Sequence, residues 1–443
     1  MTRKILIENG TVIDGSGDEP TVRSVLIDGE RIVALGGEAD AAADTDTRRV
    51  DATNKTVMPG LIDAHCHISF DEPSSNDELF FHRREGLSAI VAAYNARKVL
   101  TAGVTSFLDA DCIFSIGPDL RDAIEGGVTE GPRMVVGGNA LLTSVGGAAG
   151  TLIPDEGRRG YAHIVKSRDE IVAEVRRQIK HGVDWIKVHV TGLVPRRKER
   201  GELTVWSMDE LRTVCDTAHD LGIPVVGHCR NAASTRDAAR AGFDLILHAT
   251  FMDQEAVEAL IEANCPICPT LTFQANLMDW GDKVGVDPNL KDIFRREIEC
   301  SVETMRQVYD AGVPLLSGSE SGFALTPYGD WHWRETEVFH KYLGLTPMQA
   351  IVCATAEGGR IFSGEKKVGQ LARDYLADVL IIDGDPLADL GVLGDRERIR
   401  HVFKGGREVD LARREPERGS ITGWRVSPFA NRALTRDVAL GKE

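Results

Sequence analysis

The sequence predicts an α/β protein: a parallel (β/α)8 barrel of TIM type, with a small β-sandwich domain assembled from both chain ends. Three observations predict it. A helical stretch, a glycine and a short apolar run recur at Ala102-Gly103-Val104, His181-Gly182-Val183, Leu221-Gly222-Ile223, Ala241-Gly242-Phe243 and Ala311-Gly312-Val313. Glycine fits the left-handed residue that ends a helix, and the residue after it opens a buried strand. Helix starts carry capping boxes at Ser167-x-x-Glu170, Ser207-x-x-Glu210 and Thr346-Pro347-x-Gln349. The flanks, in contrast, alternate with a period of two, as strands of a meander do.

From the N-terminus, residues 4–57 hold Ile5-Leu6-Ile7, Thr11-Val12-Ile13, Ser24-Val25-Leu26-Ile27 and Ile32-Val33-Ala34, separated by turns such as Asp28-Gly29-Glu30. Eight candidate strands follow near residues 61–66, 104–109, 133–137, 184–190, 223–228, 243–248, 266–271 and 313–319. Eight βα units point to a barrel with its chemistry at the C-terminal strand ends, and a doubly wound open sheet is the alternative. The alternating texture returns in Asp378-Val379-Leu380-Ile381-Ile382 and from Ile399 to Gly406. The expected division is therefore 1–59 plus 365–443 for the composite β domain and 60–364 for the barrel. The final stretch is polar and irregular, an arm onto a partner subunit or a loose tail.

Composition narrows the function. The chain has 443 residues, 42% hydrophobic and 27% charged, and a net charge of −16. That charge argues against nucleic acid and acidic membranes, which need basic patches, and favours a small-molecule substrate. Arg196-Arg197-Lys198 reads as a solvated loop. Met134 to Pro154 is uncharged until its end but carries five glycines, so it reads as strand and loop, not a membrane span. The N-terminus reaches Glu8 too soon for a signal peptide. Eight cysteines in so long a chain do not suggest a disulfide framework, and reduced thiols in a cytoplasmic homo-oligomer are expected. Cys265-Pro-Ile-Cys268 is one unpaired Cys-x-x-Cys and reads as core packing.

The candidate site residues fall at the strand ends. Met58-Pro-Gly-Leu-Ile-Asp-Ala-His65-Cys-His67 sets two imidazoles on one face of a strand, half of a site for a borderline cation such as zinc. Strand four carries Lys187 inside an apolar run, where it is neutral, paired or modified. Strands five and six end in His228 and His248, and strand eight ends in Glu320. Any one of these is readable as a satisfied core group. Their coincidence at strand ends points to a metal site.

These residues resemble the amidohydrolase superfamily, in particular its imidazolonepropionase-like and metal-dependent prolidase-like branch. Val57-Met-Pro-Gly-Leu-Ile-Asp-Ala-His-Cys-His67 is similar to the strand-one signature. Gly344-Leu-Thr-Pro-Met-Gln-Ala-Ile351 with Ala354-Thr355-Ala356 resembles the closing helix. Ala377 to Leu387 and Val402 to Val409 resemble the strands that re-enter the β domain. The resemblance implies that Lys187 is carboxylated by CO2 and bridges two divalent metals, zinc foremost and cobalt or manganese as alternatives. His65 and His67 would hold one ion with Glu320, and His228 and His248 the other. It further implies hydroxide attack on a carbonyl, with Glu320 and His248 the residues expected to act in catalysis and the carboxylate shuttling a proton to the leaving nitrogen.

Two departures qualify the resemblance. Glutamate stands at 320 where the family has aspartate, placing the carboxylate one methylene further out. A misplacement of about 1 Å can cost on the order of 100-fold in rate, so the surroundings must be adjusted to it. Gly146-Gly147-Ala148 lacks the imidazole that relatives often carry after strand three. His189, two residues beyond Lys187, is a candidate substrate or metal contact, with a buried hydrogen-bonded histidine the alternative. Arg230 is a candidate anchor for a substrate carboxylate. The loop Thr326-Pro-Tyr-Gly-Asp-Trp-His-Trp-Arg-Glu335 loosely resembles the phenylurea and thiocarbamate hydrolase subgroup. Trp331, His332 and Trp333 either line an apolar substrate pocket or pack the loop onto the barrel. The leading expectation is hydrolysis of an amide, carbamate or urea-like C–N bond in a small substrate with room for an aromatic group. Dipeptidase or N-acyl amino acid hydrolysis, a decarboxylase or hydratase, and a silent scaffold are the competing readings, the last opposed by four retained histidines.

Overall fold

The computed structural model describes residues 4–73, 84–145, 160–193, 202–364, 366–413, 416 and 432–442. Arg196-Arg197-Lys198 and Gly146-Gly147-Ala148 lie outside these residues, as does most of the polar C-terminal stretch.

The central region is parallel α/β. Strands Leu61–Cys66, Val104–Asp109 and Arg133–Val136 form a three-stranded parallel sheet. Ala162–Ile164, Ala140–Leu142, Ile186–His189, Val225–Cys229, Leu245–His248 and Ile267–Cys268 form a six-stranded one in that order. The ladder is not continuous around eight strands. Isolated parallel bridges Gly137↔Trp185, Ile267↔Leu315 and Cys66↔Ser321 connect the pieces. Six of the eight expected strands lie at the expected places, Leu61–Cys66 and Val104–Asp109 with the expected bounds and the other four shifted by one or two residues at one or both ends, and the seventh keeps only Ile267–Cys268.

The expected eighth strand, 313–319, is not a strand but an extended segment hydrogen-bonded on both sides. Ile267 donates to Pro314 O and Leu316 to Ile267 O, while Ala64 donates to Ser317 O. The segment passes close to its neighbours. A Cβ at Gly318 would sit 2.4 Å from Cys268 Sγ and 2.8 Å from His65 Cβ, and Glu320 takes a left-handed φ of 54°.

The helix signals behave as local chemistry requires. Ser207 and Thr346 make reciprocal capping boxes with Glu210 and Gln349. All five junction glycines have positive φ; Gly242, at 100°, closes the helix Ala232–Ala241. Helices such as Arg168–Lys180 and Met208–His219 pack beside one another outside the strands.

The chain ends form two further sheets. Arg31–Leu35, Val25–Asp28, Ile5–Glu8 and Arg48–Asp51 make one of four strands. Arg407–Glu408, Ile399–Lys404, Val379–Ile382, Thr56–Pro59, Thr11–Val12 and Thr21–Val22 make one of six, so both termini contribute to it. Ile5, Ile7, Val25 and Ile27 of the first share a buried apolar cluster with Val57, Val379, Ile381 and Phe403 of the second. All eight cysteines are free and seven are buried, with Cys265 bonding the Phe243 carbonyl. No helix among the described residues is long and apolar enough to cross a membrane.

Candidate active site

Parallel pairing fixes the site by register. Lys187 pairs with Val226 and His189 with His228, one residue before Cys229 meets His248 on the next strand. Because neighbouring parallel strands end together, the side chains leaving their C-terminal ends converge. Five imidazoles follow one another in an arc. Ring centroids are 4.8 Å apart for His67 and His65, 5.3 Å for His65 and His248, 4.5 Å for His248 and His228, and 4.9 Å for His228 and His189. Lys187 is 1% exposed.

Hydrogen bonds set which ring nitrogen is left over. The Thr270 hydroxyl donates to the Cys268 carbonyl, so it accepts from His65 Nδ1 at 2.9 Å and leaves the lone pair on Nε2. His67 Nδ1 donates to the Asp111 carbonyl at 3.4 Å with Asp111 Oδ1 2.7 Å away, and Glu202 Oε2 lies 3.1 Å from His228 Nε2. His67 thereby keeps Nε2, and His228 keeps Nδ1. His65 Nε2 and both ring nitrogens of His248 are buried without a hydrogen-bond partner among the described residues. A buried polar atom without a partner is costly, on the order of 1–3 kcal/mol, so three together in one place indicate a missing ligand. His65, His248 and Glu320 each offer a ligand atom within 4.8 Å of the others. Nitrogen and carboxylate donors of this kind suit a divalent ion.

The electrostatics suit the same purpose. Burial pushes the His65 and His248 imidazoles well below their ordinary value, with Lys187 adding to the effect at His65 and His228 at His248. Burial also takes His228 down to about 4 against the pull of Glu202. These rings are neutral near pH 7, the form that binds metal. Burial lowers Lys187 too, opposed by Asp111 and Glu320. Glu320 goes the other way: burial lifts it to about 7, partly offset by His67, Arg230 and Lys187. A carboxyl poised there can accept or give a proton near neutrality. Left-handed φ values at His248 (69°), Thr270 (57°) and Glu320 (54°) gather backbone strain at the same place.

Several supporting groups were not anticipated. Burial would raise Asp111, but Lys187, His67 and the His189 hydrogen bond hold it well below the usual carboxylate range. It bridges His67 and His189, the latter also bonded to the Tyr161 hydroxyl. Asp109-Ala-Asp111 repeats at strand two the alternation that drew attention to His65-Cys-His67, and that signal was readable. Glu202, on the hairpin Thr191–Leu193 with Leu203–Thr204, and Glu297, on the helix Pro288–Asp310, reach the site from distant segments and left none. Arg230 is brought beside the arc, where Glu297 takes its Nε at 3.0 Å and also its Nη2, and Glu202 lies 3.7 Å away.

The contacts of Trp331, His332 and Trp333 are those of packing, the second of the two roles open for that loop. Trp331 is 1% exposed, stacks on Trp280 and donates to the Leu434 carbonyl at 2.7 Å. Trp333 donates to Asp330 O. His332 spends both nitrogens, Nδ1 on Asp63 at 2.6 Å and Nε2 on the Gly329 amide at 3.0 Å. Asp63 in turn receives the amides of His65 and Ser319, so this loop braces the strand-one histidine from behind.

A parallel α/β scaffold whose strand ends gather imidazoles around a carboxylate defines an enzyme of the hydrolase kind. The chain belongs to the amidohydrolase family, whose model matches residues 56–409, and it is an enzyme that hydrolyses C–N bonds. It is 27% identical over 428 residues to ochratoxinase of Aspergillus niger, covering 91% of this chain and 86% of that one. Its fold matches that of a Xaa-Pro dipeptidase with bound methionine, with a TM-score of 0.80 and 28% identity over 92% of this chain and 99% of the other. Phenylurea hydrolase B shares the fold at a TM-score of 0.73 and 21% identity, over 92% of this chain and 97% of its own.

Proposed function

We propose that the protein hydrolyses an amide, carbamate or urea-like C–N bond of a small, uncharged substrate with the help of one or two divalent ions. The observation that carries the reading is the set of buried, unpartnered nitrogens on His65 and His248 beside Glu320. His65, His67, Lys187, His228, His248 and Glu320 would hold the ions. Zinc is the favoured metal for this donor set, with cobalt or manganese as alternatives. Bound there, a divalent ion supplies a water activated near neutral pH and a Lewis acid for the substrate carbonyl. Lys187, buried and with its amine pushed down, is suited to take up CO2 as a carbamate and so become an anionic ligand.

The chain's own groups do the rest. Glu320 takes a proton at its carboxylate and returns it to the leaving nitrogen. Asp111, Glu202 and Thr270 fix the tautomers of His67, His228 and His65. The shared apolar cluster of the terminal sheets supports a composite β domain of 1–59 plus 365–443 around a catalytic unit of 60–364. Eight free thiols suit a cytoplasmic location.

The likeness to a Xaa-Pro dipeptidase favours a second reading, hydrolysis of a dipeptide or N-acyl amino acid. A panel of neutral amides and carbamates, run beside dipeptides and N-acyl amino acids, tests both. Turnover is expected to follow bound metal and to vanish in Glu320→Gln. Activity that persists after the metal is stripped would contradict the proposal. Glu320→Asp sharpens it: faster hydrolysis of ordinary amides would mean that glutamate serves another reaction.

A further inference from the structure

Three phenylalanines stand three residues beyond a site residue: Phe70 after His67, Phe273 after Thr270 and Phe323 after Glu320. The three rings form one contiguous aromatic cluster beside His67. Phe70 stacks flat on His67, with centroids 4.3 Å apart and planes 3° apart. Phe323 meets both edge-on, at 5.8 Å from His67 and 5.4 Å from Phe70. The contact continues from Phe323 to Phe273 at 5.8 Å, and from there to Phe294 at 6.0 Å. On the other side Phe70 meets Tyr161 at 5.8 Å. Phe70 is buried, but Tyr161, Phe273, Phe294 and Phe323 keep part of their surface uncovered at the edge of the core. Partly exposed rings next to unpartnered metal-type donors form the apolar side of a binding site rather than of a core.

The charge beside this wall is not that of an anion site. Arg230 lies over the Phe294 ring at 5.8 Å, but Glu297 takes it through two nitrogens and Glu202 flanks it. One guanidinium between two carboxylates leaves a net negative group. A substrate carboxylate placed there would meet repulsion in a buried setting.

We propose that Phe70, Phe273, Phe294 and Phe323, with Tyr161 at the end, form an aromatic subsite for a flat, uncharged aryl group, and that Arg230 braces Glu202 and Glu297 instead of anchoring a substrate carboxylate. This deepens the reading above and rests on it. It favours aryl amides, carbamates or ureas over dipeptides and N-acyl amino acids.

The test separates binding from turnover. Affinities of the metal-loaded full chain for benzohydroxamate, acetohydroxamate and succinic acid monohydroxamate are measured by calorimetry, beside hydrolysis of a neutral anilide and an N-acyl amino acid. The aryl ligand is expected to bind at least about 10-fold more tightly than either other ligand, as burial of a ring on an aromatic wall implies. Phe294→Ala and Phe323→Leu should each remove most of that advantage. Arg230→Lys should leave the aryl preference in place while lowering thermal stability. Equal affinities for the three ligands would overturn the subsite, as would preference for the carboxylated ligand that disappears in Arg230→Lys. Aryl preference without any C–N hydrolysis would uphold the subsite and overturn the hydrolase reading.

Discussion

His248 and His332 are both buried histidines beside the same strand ends, and their surroundings are opposite. His332 donates from Nδ1 to Asp63 and accepts the Gly329 amide at Nε2. Neither nitrogen of His248 has a hydrogen-bond partner among the described residues. The same contrast separates the regions around them. The loop carrying Trp331, His332 and Trp333 spends its indole and imidazole hydrogen bonds on Leu434, Asp63, Gly329 and Asp330. In the arc, His65 and His248 keep ring nitrogens without a hydrogen-bond partner among the described residues, while the other nitrogens of His67, His228 and His65 are tied to Asp111, Glu202 and Thr270. Residue type alone does not mark a functional histidine; an unanswered buried nitrogen does.

The largest effect expected from this contrast is on catalysis. His248→Ala should reduce turnover by more than the roughly 100-fold that loss of an outer partner of a metal ligand can cause. His332→Ala should alter stability first and leave substantial turnover, measured as kcat on whichever amide the panel identifies. Comparable loss of kcat in both variants, with both folded by circular dichroism, would erase the distinction.

On the packed side, Trp331→Ala should destabilise the fold by about 3–5 kcal/mol, as removal of a large buried aromatic does. Urea denaturation reads this directly, and the bound metal per folded chain should stay unchanged. Glu335 adds a pH signature to the same side. It accepts from the Leu271 amide and the Thr272 hydroxyl, yet burial lifts it to about 7 from 4.5. The folded chain therefore keeps a proton that the unfolded chain releases, and stability falls as pH rises between those values. The full difference is about 3 kcal/mol, and Glu335→Gln should flatten it. A smaller change is expected at Asp111→Asn, which should weaken metal affinity about 10- to 100-fold by loosening His67. Competition with a chromophoric chelator measures it, and affinity equal to that of the parent chain would contradict the orienting role.

Much of this was legible in the sequence, for physical reasons. Strands that end in a ligand are short apolar runs closed by a helix-stop glycine on one side and a histidine on the other. Those signals are local, and Val225–Cys229 and Leu245–His248 follow them closely, while Leu61–Cys66 carries only the histidine signal, since a strand and not a helix precedes Gly60. The segment 313–319 reads as a strand by its apolar run, but Pro314 lacks a donor and Gly318 lies against Cys268 and His65, so its ladder is broken. The carboxylates that orient the arc were less legible. Asp111 is visible in its alternation with Asp109, whereas Glu202 and Glu297 arrive through loop and helix geometry that no local pattern encodes. The aromatic loop from 326 to 335 attracted attention by composition. Composition does not reveal whether a ring faces a ligand or another ring, and Phe323, with no unusual neighbours in sequence, touches His67.

The most direct measurement is metal equivalents per chain, by elemental analysis, for the parent protein, His248→Ala and His332→Ala, each purified without added metal or chelator. The account predicts one to two equivalents in the parent and in His332→Ala, and a marked loss in His248→Ala. Metal retained in His248→Ala but lost in His332→Ala, or none taken up by the parent after incubation with zinc, cobalt or manganese, would contradict it.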